Sequence, residues 1–494
     1  MEVHRRPIRF CKLSMVTAPD ALLNLHKGKP RLALLPLIAF IYVLFRPVSN
    51  GNVLLPLLIG LAVCGFVVGF FRRHCMTPAL LLYLGWQLLF GVTFGLVGSG
   101  NMGLRDQLQT FVGFPVIFWL IVYGISQATL ARVMWALAIG CTIVGLTIVA
   151  YVGNQQGVLP QIIPVSFLKS QTGAVFDSAR FGRTTSIQFY GLATLAGGGP
   201  LWVASLLVPR ARLLPPMWMR LLAAVSCVLA ALVAGRQALV VTTILAPVLL
   251  WGVSSILGRV RADRAALGAA QLFTARKRNA WLVLGMVAGV LVVGNVSFQR
   301  STVSGSTVGN ALKALSATYL GSGALSEDLN TRTRQQEGQM LLTGFREHPI
   351  LGSGLGATVP QYQRDPVSPW HFELQYHMLL FDTGLVGVLF ALVAGAIFVF
   401  AARSAVKRRP DLAGDVVVAS VGCVALLMAS ASNPYLQAPG YNWALYLPIA
   451  AINVALTSVP AARGGKGPAE FDETEPELAL RGGGQVSVLH CVAS

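Results

Sequence analysis

Apolar residues in this chain fall into long blocks separated by short polar stretches. A helix needs about 20 apolar residues to cross a bilayer. Blocks near that length lie at 32–46, 52–71, 78–97, 108–125, 132–152, 188–208, 219–234, 237–257, 280–296, 374–402, 414–430 and 442–458. The pattern predicts an all-α integral membrane protein with about twelve transmembrane helices. Two blocks are interrupted, one by Pro115 and one by Gly197-Gly198-Gly199-Pro200. Such interruptions are tolerated where neighbouring helices satisfy the freed backbone groups.

The intervals between blocks give the organisation. Residues 1–31 are polar and basic, 32–296 carry helices one to nine, and 297–372 form one large loop. Helices ten to twelve occupy 373–458. The stretch 459–494 is rich in Gly, Pro and Glu without apolar periodicity and reads as a disordered tail. Residues 1–31 are too long and too polar for a signal peptide, so the first block is expected to remain as a helix.

Composition sharpens the class. Only 12% of residues are charged and 54% are hydrophobic, whereas a soluble domain carries about 25% charged residues. The net charge of +19 would suggest nucleic acid in a soluble chain. Here the basic residues sit between apolar blocks, so they read as orientation signals and no nucleic-acid partner is expected. With residues 1–31 in the cytoplasm, the cytoplasmic segments hold 26 of the 38 Lys and Arg residues. The outside keeps 12, six of them in the loop 297–372. The alternation is unbroken, which places both termini in the cytoplasm and the large loop outside. The seven cysteines form no CxxC or Cys/His metal spacing, and none lies in that loop.

Outside residues therefore hold the candidate chemistry. Arg236 sits in a turn of about two residues between two apolar helices, where no arginine is needed for the fold. It is either an arginine snorkelling at the interface or a fixed guanidinium. A guanidinium binds phosphate oxygens in bidentate fashion and keeps its proton. A second group is the loop 153–187, with Lys169, Arg180 and Arg183. In the large loop, Ser326 to Glu347 predicts a helix, with Ser326 as N-cap and Pro349 as its stop. Arg334, Leu341 and Phe345 share one face of it, the docking face. Gly352-Ser353-Gly354-Leu355-Gly356 then reads as a flexible return; it lacks the ending of a phosphate-binding loop. His371, Glu373, Tyr376 and His377 cluster with Trp370 where the tenth helix begins. An interface belt accounts for the aromatics, but not for His371, Glu373 and His377, which are general acid–base types. No DxD pair or outward carboxylate cluster suggests a metal, and no GxSxG nucleophile is present. Among mid-helix positions Asp382 is the main ionisable residue, fewer than ion-coupled carriers use.

Three segments resemble the O-antigen ligase and O-antigen polymerase superfamily of bacterial envelope glycosyltransferases. RQQEGQMLLTGFREHPILGSGLG, from Arg334 to Gly356, is similar to the family's periplasmic-loop pattern of an arginine, a helix and a Pro-Leu-Leu-Gly-x-Gly-x-Gly end. AGRQALVV around Arg236 resembles its outward-turn arginine. RFGRTTSIQFYGLATLAGGGP, from Arg180 to Pro200, resembles the segment where an arginine and a glycine-bearing turn precede a helix. One departure stands out: the family often has His-Asn, then about nine residues, then Gly, and counted back from Gly384 that histidine position falls on Glu373, with His371 and His377 on either side. That tilts the resemblance from ligase toward polymerase.

The resemblance implies a metal-independent, inverting transferase without a cofactor in the bacterial inner membrane. Its donor would be a polyprenyl-diphosphate-linked oligosaccharide, its acceptor a sugar hydroxyl, and its partners membrane lipid, a flippase and a chain-length regulator. Arg236, Arg334, Arg183 and Arg180 would bind the diphosphate; His371, Glu373 or His377 would serve as base. The alternatives are a ligase acting on lipid A core, and a polysaccharide transporter or flippase dependent on Asp382.

Overall fold

The computed structural model describes residues 34–47, 51–155, 159–160, 164, 166, 175–177, 186–188, 190–208, 211–234, 237–258, 329–360, 362 and 367–458. The segment 1–31, the expected ninth helix 280–296, the loop up to 328, the tail 459–494, and Arg180, Arg183 and Arg236 lie outside them. The described part is mostly helical and belongs to one compact unit.

The first helices are α1 (Leu35–Phe45), α2 (Gly51–Phe71), α3 (Pro78–Val97), α4 (Leu104–Leu108), α5 (Phe114–Tyr123) and α6 (Gln127–Gln155). After a short antiparallel pair, β1 (Val175–Asp177) with β2 (Ser186–Gln188), come α7 (Thr194–Leu206), α8 (Met217–Val233), α9 (Gln237–Ile244) and α10 (Ala246–Leu257). The set ends with α11 (Leu329–Glu347), α12 (Gln375–Arg408), α13 (Ala413–Ser430) and α14 (Trp443–Thr457).

Among the described residues six helices are long and apolar enough to cross a membrane: Val53–Phe71, Pro78–Val97, Leu104–Tyr123, Gln127–Asn154, Gln375–Arg408 and Pro410–Ser430. The pair α9 and α10 makes a seventh if counted as one span, bent by 56°. Several of these helices present large apolar side chains outward: Phe66, Phe70 and Phe71 on α2, Leu82 and Leu89 on α3, Leu389 and Phe400 on α12. A helix apolar on its outer face as well as its inner one is solvated by lipid. The protein is an integral membrane protein.

Two interrupted blocks have physical accounts. The block carrying Pro115 is α4, a π-helical turn at Gln109–Gly113, and α5. Pro115 has no N–H to give the preceding turn, and the widened turn just before it takes up the mismatch. The Gly197-Gly198-Gly199-Pro200 block is α7, whose thirteen residues are all buried. It packs against α6, α8, α9, α10 and α13. A Cβ on Gly198 would stand 2.6 Å from the Cys141 sulfur, and one on Gly197 3.0 Å from Ala444 Cβ. The glycines thus let neighbouring helices close on a central axis. The block expected to start at residue 188 begins its helix later, because Ser186–Gln188 pairs as β2.

The expected span 374–402 extends to Arg408 and is broken at Gly384, with φ 58° and ψ −159°. From Leu385 to Arg408 more than the ~20 residues needed to cross a bilayer remain. The break frees four backbone groups, and the segment after α11 takes all of them. Leu385 and Val386 donate to the carbonyls of Pro349 (2.9 Å) and Ile350 (3.0 Å). The carbonyls of Phe381 and Asp382 accept from Ser353 and Gly354, both at 2.9 Å. The same strap ties to the end of α3: Leu355 N donates to Phe94 O (3.1 Å), Gly103 N to Gly356 O (3.1 Å), and Asn101 Nδ2 to Ser353 O (3.0 Å). The expectation of a flexible return is therefore corrected. Gly352, Gly354 and Gly356 have φ of 70°, 82° and 76°, and a Cβ on Gly354 would stand 2.2 Å from Gly98 N. Glycine is used for backbone-to-backbone docking, not for freedom.

Gly354→Ala is expected to cost about 2 kcal/mol or more, from left-handed strain plus overlap. Gly395→Ala, where a Cβ meets nothing within 4 Å, is the neutral control. Thermal unfolding of the detergent-solubilised protein compares the two.

Candidate functional site

Helix α11 runs beside the first turns of α12 in the same direction. Arg334 reaches Glu373, Gly338 faces Leu374 and His377, and Gly344 faces Phe381. Beneath the contact lies a small core of Leu341, Ala357, Val359, Phe372, Met378 and Phe381, separate from the main bundle core. Leu341 thus docks as its helical spacing predicts.

The polar centre is an ion pair. Arg334 Nε donates to Glu373 Oε2 at 2.6 Å, with side chains 17% and 24% exposed. Bonding through Nε leaves the terminal fork, Nη1 and Nη2, with no hydrogen-bond partner among the described residues. A guanidinium held from the side keeps its end-on, two-pronged face for a planar or tetrahedral oxyanion.

Glu337, three residues after Arg334 on the same helical face, is fully buried. Its Oε1 accepts the Leu374 amide N–H at 2.7 Å and its Oε2 the Tyr362 hydroxyl at 3.2 Å. Sequence reasoning missed both Glu337 and Tyr362. The periodicity that pointed to Arg334 and Leu341 also passes through Glu337, so that residue was legible; Tyr362 was not.

The two histidines separate. His377 is half-buried, and a Cβ on Gly338 would stand 3.9 Å from its Nε2, so it lies against α11 close to the ion pair. His371 is exposed, and its ring meets Trp370 edge-on with centroids 5.9 Å apart. Trp370 in turn lies over Gly103, where a Cβ would come within 2.2 Å of the indole. His371 makes no side-chain hydrogen bond to Arg334 or Glu373. Helix α8 ends at Val233 and α9 begins at Gln237; Gly235 and Arg236, in the turn expected between them, lie outside the described residues.

Asp382 is buried two residues before the α12 break, and its Oδ1 has no hydrogen-bond partner among the described residues. Its carbonyl bonds Gly354, and Gly354 abuts Gly98 at the end of α3. Asp382 is therefore level with the end of a span, not with its middle. No three His, Cys, Asp or Glu residues gather as metal ligands among the described residues.

An apolar groove of about 500 Å³ lies along α12; none of its lining residues belongs to α11. It starts at Tyr376, three residues after Glu373, and runs along α12 past the break to Phe390 and Ala394. Trp86 and Phe90 of α3 and Phe111 of the π-helical turn face it.

Fold and surface define the class, an α-helical integral membrane protein with a helical cap over one end of a broken helix. Compared with known proteins, the chain matches no protein-family model and no curated sequence.

Removing either partner of the ion pair is expected to cost about 1–2 kcal/mol, and the Arg334→Ala, Glu373→Ala double variant little more than either single one. A double-mutant cycle on SDS-induced unfolding measures this coupling.

Proposed function

We propose that the protein is a polysaccharide polymerase of the bacterial inner membrane. It transfers a glycan from a polyprenyl diphosphate to a sugar hydroxyl of a lipid-linked acceptor at the periplasmic face. The observation that carries this is the Arg334 fork, held from one side by Glu373; an apolar groove along α12, reaching Tyr376 three residues after Glu373, is the second observation. A lipid diphosphate has the matching form: two phosphates for guanidinium, and a hydrocarbon chain for an aromatic-lined groove that runs along α12 from Tyr376 into its membrane-crossing half. The three segment resemblances and the basic-residue asymmetry support the same reading, with twelve spans and both termini in the cytoplasm.

In this mechanism the acceptor hydroxyl oxygen attacks the anomeric carbon from the face opposite the diphosphate. The carbon–oxygen bond to the phosphate breaks, its electron pair leaves on the diphosphate, and the anomeric configuration inverts. Arg334 and Arg236, with Arg180 and Arg183, stabilise the departing charge without a metal. The hydroxyl proton passes to a base. Glu373 is engaged by the Arg334 guanidinium and serves to orient it. The base is then His377 or His371, an imidazole suited to neutral pH.

Membranes supplied with lipid-linked repeat units should yield a ladder of chain lengths. Arg334→Ala and Arg236→Ala should each lower polymer about 100-fold or more, at unchanged protein level in the membrane. Arg334→Lys should rescue little, because an ammonium lacks the fork. Full ladders from both alanine variants would sink the proposal. A single transfer onto lipid A core, without a ladder, would favour a ligase.

Ala391 lines the groove. Ala391→Trp should lower polymer yield while Arg334 and Glu373 stay paired. The assay for it is ladder intensity at rising donor concentration, and the expected signature is a raised KM at near-normal kcat.

A further inference from the structure

We infer that Glu337 is the positioning residue of this site: its buried carboxylate sets the register of α11 on α12, and so the spacing between the Arg334 fork and His377. The inference rests on the transferase reading above.

Three chain segments meet on this one carboxylate. Glu337 itself belongs to α11, Tyr362 to the return after the strap, and Leu374 is the cap residue of α12. Leu374 directly follows Glu373. Fixing the Leu374 amide at 2.7 Å from Glu337 Oε1 therefore fixes the backbone that presents Glu373 to Arg334. Arg334 and Glu337 share a helix face, so they ride together. The strap and the Gly344–Phe381 contact hold the C-terminal end of α11; Glu337 acts nearer its N-terminal end, beside Arg334. Gly338 offers α12 a smooth surface: a Cβ there would meet only Leu374 and His377 side-chain atoms, at 3.2 Å and 3.8 Å. A smooth contact permits sliding, and a slip of one turn would displace Arg334 by about 5.4 Å. A charge-assisted bond to a buried amide, with a second bond to Tyr362, opposes that slip directly.

A buried carboxylate is a costly way to cap a helix unless its bonds are all made. Two described partners, one on each oxygen, meet that condition here. The identity of the group matters less than its acceptors. An amide at this position keeps a carbonyl for the Leu374 N–H, whereas a methyl keeps nothing.

The test uses the full-length protein in nanodiscs, with Glu337→Gln, Glu337→Ala and Tyr362→Phe. Two readouts are taken: hydrogen exchange of the peptide spanning 371–377, and ladder formation with its kcat and KM. Glu337→Ala should lose protection at Leu374 while α12 beyond Leu385 keeps its own. Its kcat should fall about tenfold or more, because misplacing reacting groups by an ångström is that costly. Glu337→Gln should stay within about threefold of wild type on both readouts, and Tyr362→Phe should lie between the two. Unchanged Leu374 protection in Glu337→Ala would overturn the positioning role, as would a Gln variant as impaired as the Ala variant. Exchange needs no reaction, so the two ideas fail separately. A wild-type protein that makes no polymer removes the polymerase reading, and Leu374 protection lost in Glu337→Ala but kept in Glu337→Gln still supports the positioning.

Discussion

A helix broken near a bilayer must find new partners for the backbone groups it frees, and that requirement organises this protein. At Gly384 the bonds from Leu385 and Val386 back to Phe381 and Asp382 are lost from α12. The strap from Pro349 to Gly354 supplies two carbonyls and two N–H groups, one for each orphan. Left unmade, each group would cost about 1–3 kcal/mol in a buried setting. The strap is thus part of the helix it crosses. Only glycine suits the crossing: Gly352 and Gly384 approach so closely that a Cβ on either would overlap the other's backbone segment.

What the interlock achieves is placement. The strap begins where α11 ends, so docking it holds the last turn of α11 against the α12 break. It also bonds the α3 end at Phe94 and the loop at Asn101 and Gly103. Three elements are thereby tied at one end of the bundle. The cap then needs only a small core of its own, with Leu341 and Phe381 at its middle. On that frame the Arg334–Glu373 pair gains little from Coulomb attraction alone, since ion pairs recover at most a modest surplus over desolvation. Its value lies in geometry: bonding through Nε aims the fork away from Glu373.

Groove and fork are complementary in chemistry. The groove is apolar along a path that crosses the α12 break, and the cation is paired to Glu373, three residues before the groove residue Tyr376. An amphiphile with an anionic head and a long chain satisfies both. The placement of Asp382 weighs against a carrier. A coupling carboxylate is expected near the middle of the bundle, but Asp382 lies level with the α3 end, behind the strap.

The chain's own pattern determined the class, because lipid imposes a length and an apolarity that can be counted along the sequence. It placed α2, α3, α6, α12 and α13 within a few residues, and the docking face of α11 through the spacing of Arg334 and Leu341. It also marked Arg334 and Glu373, though not that they pair: they are 39 residues apart, and nothing local couples them. Periodicity was silent on the α7 glycines as close-packing contacts, on the rigid strap, and on the break at Gly384. Each depends on what a distant backbone does. A glycine-rich run reads as freedom in a lone chain, and it becomes a rigid joint only when a second backbone lies 2–3 Å from where its side chains would have been. Glu337 lies between these cases. Its helical face was countable, but its role came only from the Leu374 amide and the Tyr362 hydroxyl that the fold brings to it.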